Sequence, residues 1–169
     1  MDKKLKGDIA EQKVILEALK QNIGVSRPIG DRLAYDMIFD VGGELHRVQV
    51  KSAYRTDKGF SCSGAKRTLT NRKITKTRFY KETDFDYAIL VADDDYYIVP
   101  SKEFVKQKSS TVILTLKKEE LAIVQWSKFK NAWSILRASQ EEILEEKFVK
   151  FGEGPSKLIP SQVLEIEKV

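Results

Sequence analysis

The sequence predicts a mixed α/β domain, one mixed β-sheet with helices packed on it. Three stretches carry that prediction. Residues 3–23 repeat apolar side chains at a helical period, residues 35–53 alternate around Gly42-Gly43, and residues 85–92 (FDYAILVA) form an unbroken apolar run. The resulting order, α-β-β-β then β-β-α-β-α, calls for a sheet of mixed pairing whose opening hairpin is antiparallel.

The elements follow in order. On the first helix Leu5, Ile9, Leu16, Leu19 and Ile23 share a stripe flanked by Val14, Ile15 and Ala18, with Lys6, Lys13, Glu17 and Lys20 on the solvated side. Glu11 falls inside the apolar arc, and Gly24 is a natural C-terminal cap. Val25 to Ile29 reads as a short strand, and Pro28 to Asp31 as a turn into the hairpin. Residues 54–83 are polar and basic, with one short strand and a long loop expected. Residues 85–92 are a buried strand, Asp93-Asp94-Asp95 a turn, and Tyr96 to Val99 the returning strand. Pro100-Ser101 opens a short helix (KEFVKQ), and Thr111 to Leu116 is a last strand. Trp126, Phe129, Trp133 and Leu136 have helical spacing and should pack on the sheet. Ser139 and Glu142 form a capping-box signature for a helix to about Phe151, whose stripe of Ile143, Leu144, Phe148 and Phe151 could cover the sheet or serve an oligomer contact. The expected division is a main domain over 1–137 and a C-terminal helical extension and tail over 138–169.

Composition narrows the chemistry. Of 169 residues, 33% are charged and 41% hydrophobic, the balance of a soluble globular domain. A single cysteine, Cys62, and a single histidine, His46, leave too little material for Cys/His zinc clusters or for Ser-His and Cys-His catalysis. One cysteine also excludes an internal disulfide. Residues 1–20 hold no long apolar run, so neither a signal peptide nor a spanning helix is expected; a cytoplasmic location with access to DNA is. The net charge of +5 is informative mainly through its clustering.

The hairpin concentrates the candidate chemistry. If Gly42-Gly43 is the turn, Val41 pairs with Glu44, and counting outward sets Asp36 opposite Gln49, Cβ atoms about 5 Å apart on one face. Alternation puts Lys51 on that face too and turns Val48 and Val50 into the core. A carboxylate, an amide oxygen and an ammonium suit a divalent metal beside a phosphate. Asp36 would be a hard oxygen ligand, with the Gln49 side-chain carbonyl and the Val50 backbone carbonyl as further donors. Lys51 would orient the attacking water or stabilise the transition state. Glu11 could complete the site, or pair with Lys51 as a structural salt bridge. Simple decoration of a solvated strand is the competing reading.

The basic run 66–81 (KRTLTNRKITKTRFYK) adds candidate DNA contacts. Lys66, Arg67, Lys73, Lys76 and Arg78 suit phosphates, and Asn71 or Arg72 could read base edges. Ser26 and Arg27 are secondary phosphate-binding candidates. A solvated charged loop is the alternative.

The arrangement resembles the PD-(D/E)XK nuclease superfamily, and within it the group I intron-associated, homing-type endonucleases. The matching residues are 7–19 (GDIAEQKVILEAL), 25–41 (VSRPIGDRLAYDMIFDV), 47–53 (RVQVKSA), 70–73 (TNRK) and 85–91 (FDYAILV). The resemblance implies a restriction-endonuclease-like core over 1–137 and Mg²⁺-dependent (or Mn²⁺-dependent) cleavage of double-stranded DNA. It also implies a homodimer or homotetramer. It makes Asp36 the motif acid, Lys51 the motif lysine and Glu11 the first-helix glutamate. Gln49 departs from the usual Asp or Glu of the superfamily, although glutamine occurs here in this branch, and a neutral ligand weakens metal binding. Two other readings stay open: a structure-selective nuclease such as a Holliday-junction resolvase, and a DNA-binding module without catalysis.

Overall fold

A computed structural model of the chain describes residues 2–30, 32–57, 59–70, 74–106, 111–113 and 126–137. The chain divides into two units, Met1–Trp133 and Ser134–Val169. The second is described only over residues 134–137, so the expected helix from Ser139 and the rest of the extension over 138–169 lie outside the described residues.

The first unit opens with α1 (Lys3–Lys20), followed by β1 (Gly24–Ser26), β2 (Met37–Val41) and β3 (Glu44–Ser52). Next come β4 (Tyr54–Thr56), β5 (Gly59–Ser63), β6 (Ala65–Thr70) and β7 (Ile74–Phe79). After a 3-10 turn at Glu82–Asp84 run β8 (Tyr87–Ala92), β9 (Asp95–Pro100), α2 (Ser101–Val105) and β10 (Thr111–Ile113), and a 3-10 turn at Ser127–Phe129 closes the unit. The central sheet has five strands in the order β1-β2-β3-β8-β9. Only β3 and β8 run parallel; the other pairs are antiparallel. The expected mixed sheet with an antiparallel opening hairpin is therefore the observed one, a mixed α/β arrangement of restriction-endonuclease-like kind.

The hairpin has the register expected of its glycines. Gly42 and Gly43 take φ of 61° and 91°, both in the left-handed region that a tight two-residue hairpin turn requires. Gly43 N–H donates to Asp40 Oδ1 at 2.8 Å, which fixes the turn. Val41 pairs with Glu44 and Met37 with Val48, and Asp36 N–H donates to the Val48 carbonyl at 2.9 Å just beyond the strand. Met37, Phe39, Val48, Ile89 and Ile98 are fully buried and form the heart of the core.

Four expectations are corrected. The first helix buries Ala10, Val14 and Ala18, while Leu5, Ile9, Leu16 and Leu19 are exposed. Small side chains at i, i+4, i+8 let the helix approach β1 and β3 closely, and that fit outweighs the larger leucine stripe on the other side. The helix also stops at Lys20, because Asn22 (φ 56°) takes the left-handed capping conformation expected of Gly24. Residues 54–83 contain four strands rather than one, since β-branched and charged residues alternate there without an apolar face to signal them. Finally, Trp126, Phe129 and Trp133 are buried as expected, but on a 3-10 turn and a left-handed residue, Asn131 (φ 51°), rather than a helix. Trp133 stacks on Phe39 with centroids 6.4 Å apart.

One charged pair clamps the start of the parallel strand pair β3 and β8. Asp86 Oδ2 accepts from Arg47 N–H (2.7 Å) and Nε (3.1 Å), and Oδ1 from Arg47 Nη2 (2.7 Å). Arg47 Nη1 also reaches the Thr83 carbonyl at 2.8 Å. Burial pushes the Asp86 carboxyl up, but the Arg47 side-chain and backbone hydrogen bonds more than offset that and hold it below the usual carboxylate range. A depressed carboxyl contributes stability that is present above its unfolded pKa and lost as pH falls through its folded pKa. Asp86→Asn should thus cost about 1–2 kcal/mol at neutral pH, discounted for partial exposure. In urea titrations the gap to wild type should close toward pH 3.

Candidate active site

Asp36, Gln49, Lys51 and Glu11 line one open cleft of about 590 Å³, together with Arg27, Leu33, Tyr35, Ala65, Lys66 and Tyr80 among others. The hairpin sets three of the four. Asp36 stands at the mouth of β2, and Gln49 and Lys51 lie two residues apart on β3 and so on one face. Glu11 comes from α1, next to the buried stripe through Ala10 and Val14, and is half-buried.

The hydrogen bonds bind this face together. Asp36 Oδ2 accepts from the Val50 N–H at 2.7 Å and from Gln49 Nε2. The same Gln49 nitrogen donates to the Val50 carbonyl at 3.0 Å. The Asp36 carboxylate and the Val50 carbonyl therefore converge on a single point, filled here by the positive end of an amide. Turned about its last bond, that amide would set Oε1 beside those two oxygens, three acceptors that only a cation between them would hold together. All these donors are hard oxygens, suited to Mg²⁺ or Mn²⁺ rather than to a soft ion. Among the described residues no group of three or more His, Cys, Asp or Glu gathers to hold a metal, in this cleft or elsewhere; what the cleft offers is two carboxylates, an amide and a backbone carbonyl.

The two carboxylates are held at electrostatic cost. Burial pushes the Asp36 carboxyl up, against the Val50 N–H and the Lys51, Lys66 and Arg27 charges that pull it down. Burial, then the Asp36 charge, pushes Glu11 up, with Arg27 opposing. A carboxyl raised by burial, and a second raised by burial and by the charge of the first, are what a shared cation would relieve. The residues fit a divalent metal.

The cations are less uniform than the sequence suggests. Lys51 does not pair with Glu11; its Nζ donates to the Tyr80 hydroxyl at 2.7 Å, and burial lowers its pKa while Asp36 raises it. Glu11 instead takes Arg27 as its partner, so one phosphate-binding candidate is engaged with a candidate ligand. Lys66 lines the cleft and donates to the Leu33 carbonyl at 3.3 Å. Arg78 grips Asp84 through both carboxylate oxygens, at 2.7 and 2.9 Å, and pins the base of β7. Ser26 is exposed on β1, whose register sets it opposite Ile38. The backbones of Arg67 and Lys76 lie in β6 and β7, whose register pairs Arg67 with Thr77 and Thr68 with Lys76. Asn71, Arg72 and Lys73 lie outside the described residues. Tyr80 is the member that sequence reasoning missed. Its only signal is an aromatic pair, Phe79-Tyr80, closing a polar segment, and nothing local says which ring turns inward.

Among the described residues no helix is long and apolar enough to cross a membrane. No curated protein matches the chain closely enough to carry an argument. A solved structure does: the bacterial homing endonuclease I-Ssp6803I is 33% identical, with a TM-score of 0.73, over 84% of this chain and 97% of that one. The family model described as PD-(D/E)XK endonuclease matches residues 1–135, a span that takes in α1, the hairpin and the cleft they enclose. On that match, and with an acid and a lysine standing on one hairpin face, the chain belongs to the PD-(D/E)XK endonuclease family.

Proposed function

We propose that the chain is a metal-dependent endonuclease that hydrolyses phosphodiester bonds in double-stranded DNA at specific sites, in the homing manner. One observation carries this reading: the Asp36 carboxylate and the Val50 carbonyl both face the Gln49 side-chain amide, with Glu11 and the Lys51 ammonium in the same cleft. Asp36, Gln49 Oε1, the Val50 carbonyl and Glu11 would hold a divalent cation, which supplies neutralisation of phosphate charge and a more acidic water. Lys51 holds its proton at Nζ facing the cleft, where it orients the attacking water or meets the charge that grows on the phosphate. Arg27 and Lys66 draw the DNA backbone toward the cleft, and Ser26 is a further phosphate contact. The two-stranded ribbon of β6 and β7 has a width the major groove admits, and its strands include Arg67, Lys76 and Arg78. Asn71, Arg72 and Lys73, between those strands in sequence, are proposed as further contacts by residue type alone. The likeness to a bacterial homing endonuclease supports site specificity. Each chain has one such centre, so cutting both strands calls for a homodimer or homotetramer acting by symmetry.

The test is incubation with randomised duplex DNA and Mg²⁺, followed by sequencing of the cut ends. A recurrent sequence at the cuts supports the reading. Saturable binding with no cut in Mg²⁺ or Mn²⁺ would leave a DNA-binding module, and preference for four-way junctions would indicate a resolvase.

Gln49 sets a second expectation. Ligand charge tunes the affinity of an oxygen site, so Gln49→Glu should lower the Mg²⁺ concentration for half-maximal cleavage by roughly tenfold. In EDTA the same variant should melt earlier than wild type, since a third carboxylate joins two already raised by burial. Cleavage titrated with Mg²⁺ checks the first, and calorimetry in EDTA the second.

A further inference from the structure

Tyr80 stands between the end of β7 and the 3-10 turn before β8, and its ring is 8% exposed. The ring packs edge-on against Phe85 (centroids 5.2 Å, 69°) and Phe104 (6.2 Å, 60°), and those two rings pack on each other (5.8 Å, 66°). Three rings from three parts of the chain fix the position and plane of the tyrosine. Only its hydroxyl leaves the cluster, and it enters the cleft to accept the Lys51 Nζ–H at 2.7 Å. Nζ lies 4.9 Å from the ring centroid, so the ammonium sits off the hydroxyl edge, and the contact is a hydrogen bond more than a cation–π one.

The choice of partner matters. Lysine is a flexible stem carrying a point charge, which must be aimed to be useful. A carboxylate would aim the ammonium and also neutralise it. A phenol oxygen accepts a hydrogen bond from it and leaves the full charge free for the substrate. Among the described residues Lys51 forms no ion pair, so the phenol is its fixed anchor.

We propose that Tyr80 is the positioning residue for Lys51: a phenol, locked by Phe85 and Phe104, that holds the ammonium in the cleft with its charge unspent. The inference rests on the nuclease reading of the site and adds a residue to it.

Tyr80→Phe keeps the three rings and deletes only the hydroxyl, whereas Tyr80→Leu removes both. Four readouts apply: melting temperature, duplex Kd in EDTA, single-turnover cleavage at saturating protein, and the Lys51 ammonium signal in ¹⁵N-lysine NMR, assigned by its absence in Lys51→Ala. For Tyr80→Phe the expected result is an unchanged melting temperature and Kd, a cleavage rate lower by about 10- to 100-fold, and a broadened ammonium signal. A residue that only packs would make Tyr80→Phe silent and Tyr80→Leu alone harmful, so a wild-type rate and an unchanged signal in Tyr80→Phe overturn the proposal. A weakened Kd with a normal saturated rate overturns it too, by making Tyr80 a DNA contact. Should the wild-type protein cut no DNA, the nuclease reading fails while the ammonium signal still decides whether Tyr80 holds Lys51.

Discussion

Lys51→Ala is expected to lower single-turnover DNA cleavage by about 10²–10³-fold or more, the loss seen when a positioned group meeting transition-state charge is deleted. Duplex affinity measured in EDTA should stay within about threefold, because one cation among many phosphate contacts contributes little to the total. The argument is geometric. Lys51 is on the same strand face as Gln49, its Nζ is anchored at 2.7 Å to a buried phenol, and the cleft it lines also holds Asp36 and Glu11. Burial lowers its pKa and the nearby Asp36 charge raises it, so the ammonium is desolvated but kept company by an anion. Such a charge acts strongly on a phosphate because little water screens it. Full cleavage by the alanine variant would remove Lys51 from the mechanism. An equal loss of binding and cleavage would make it a DNA contact instead.

How much of this was legible in the sequence depends on whether a local rule governed each feature. Gly42-Gly43 fixes its own turn, and register follows by counting, so Asp36 opposite Gln49 and Lys51 beside it could be read directly. The apolar run 85–92 could only be a buried strand. The buried face of α1 was not legible, since apolar residues occur on both of its sides and the sheet selects the small ones, Ala10, Val14 and Ala18. Strands β4 to β7 hold few apolar residues in sequence, so no binary pattern announces them. The partners of Glu11 and Lys51 were hidden for another reason. Arg27 lies 16 residues from Glu11 and Tyr80 lies 29 from Lys51, and only the folded sheet joins them. The residue types of the site were visible. Their wiring was a tertiary property.

Asp36→Asn should separate function from stability. Cleavage should fall by at least about 10³-fold, because the hardest oxygen donor and its charge would leave a site whose other proposed strand ligand, Gln49, is already neutral. Stability should move the other way. The Asp36 carboxyl is raised by burial despite its hydrogen bond from Val50 N–H and the Lys51, Lys66 and Arg27 charges, and it in turn raises Glu11. A carboxyl whose folded pKa lies above its unfolded one binds its proton more tightly in the folded state. Its cost is present in full above the folded pKa and fades as pH falls toward the unfolded pKa. Asparagine keeps an oxygen for the Val50 N–H and carries no charge. In EDTA at neutral pH the variant should therefore melt about 2–4 °C above wild type, a modest shift for a domain of this size, and the two curves should meet at acid pH. Titration with Mg²⁺ should raise the wild-type melting temperature and leave the variant nearly flat, since only a protein that binds the ion is stabilised by it. A variant that melts below wild type in EDTA would mean that Asp36 is held as a structural acceptor, with its charge no burden to the fold. The raised carboxyls and the inactive but stabler variant have one origin: charge is kept in the cleft for a cation and a phosphate, at the expense of the protein that holds it.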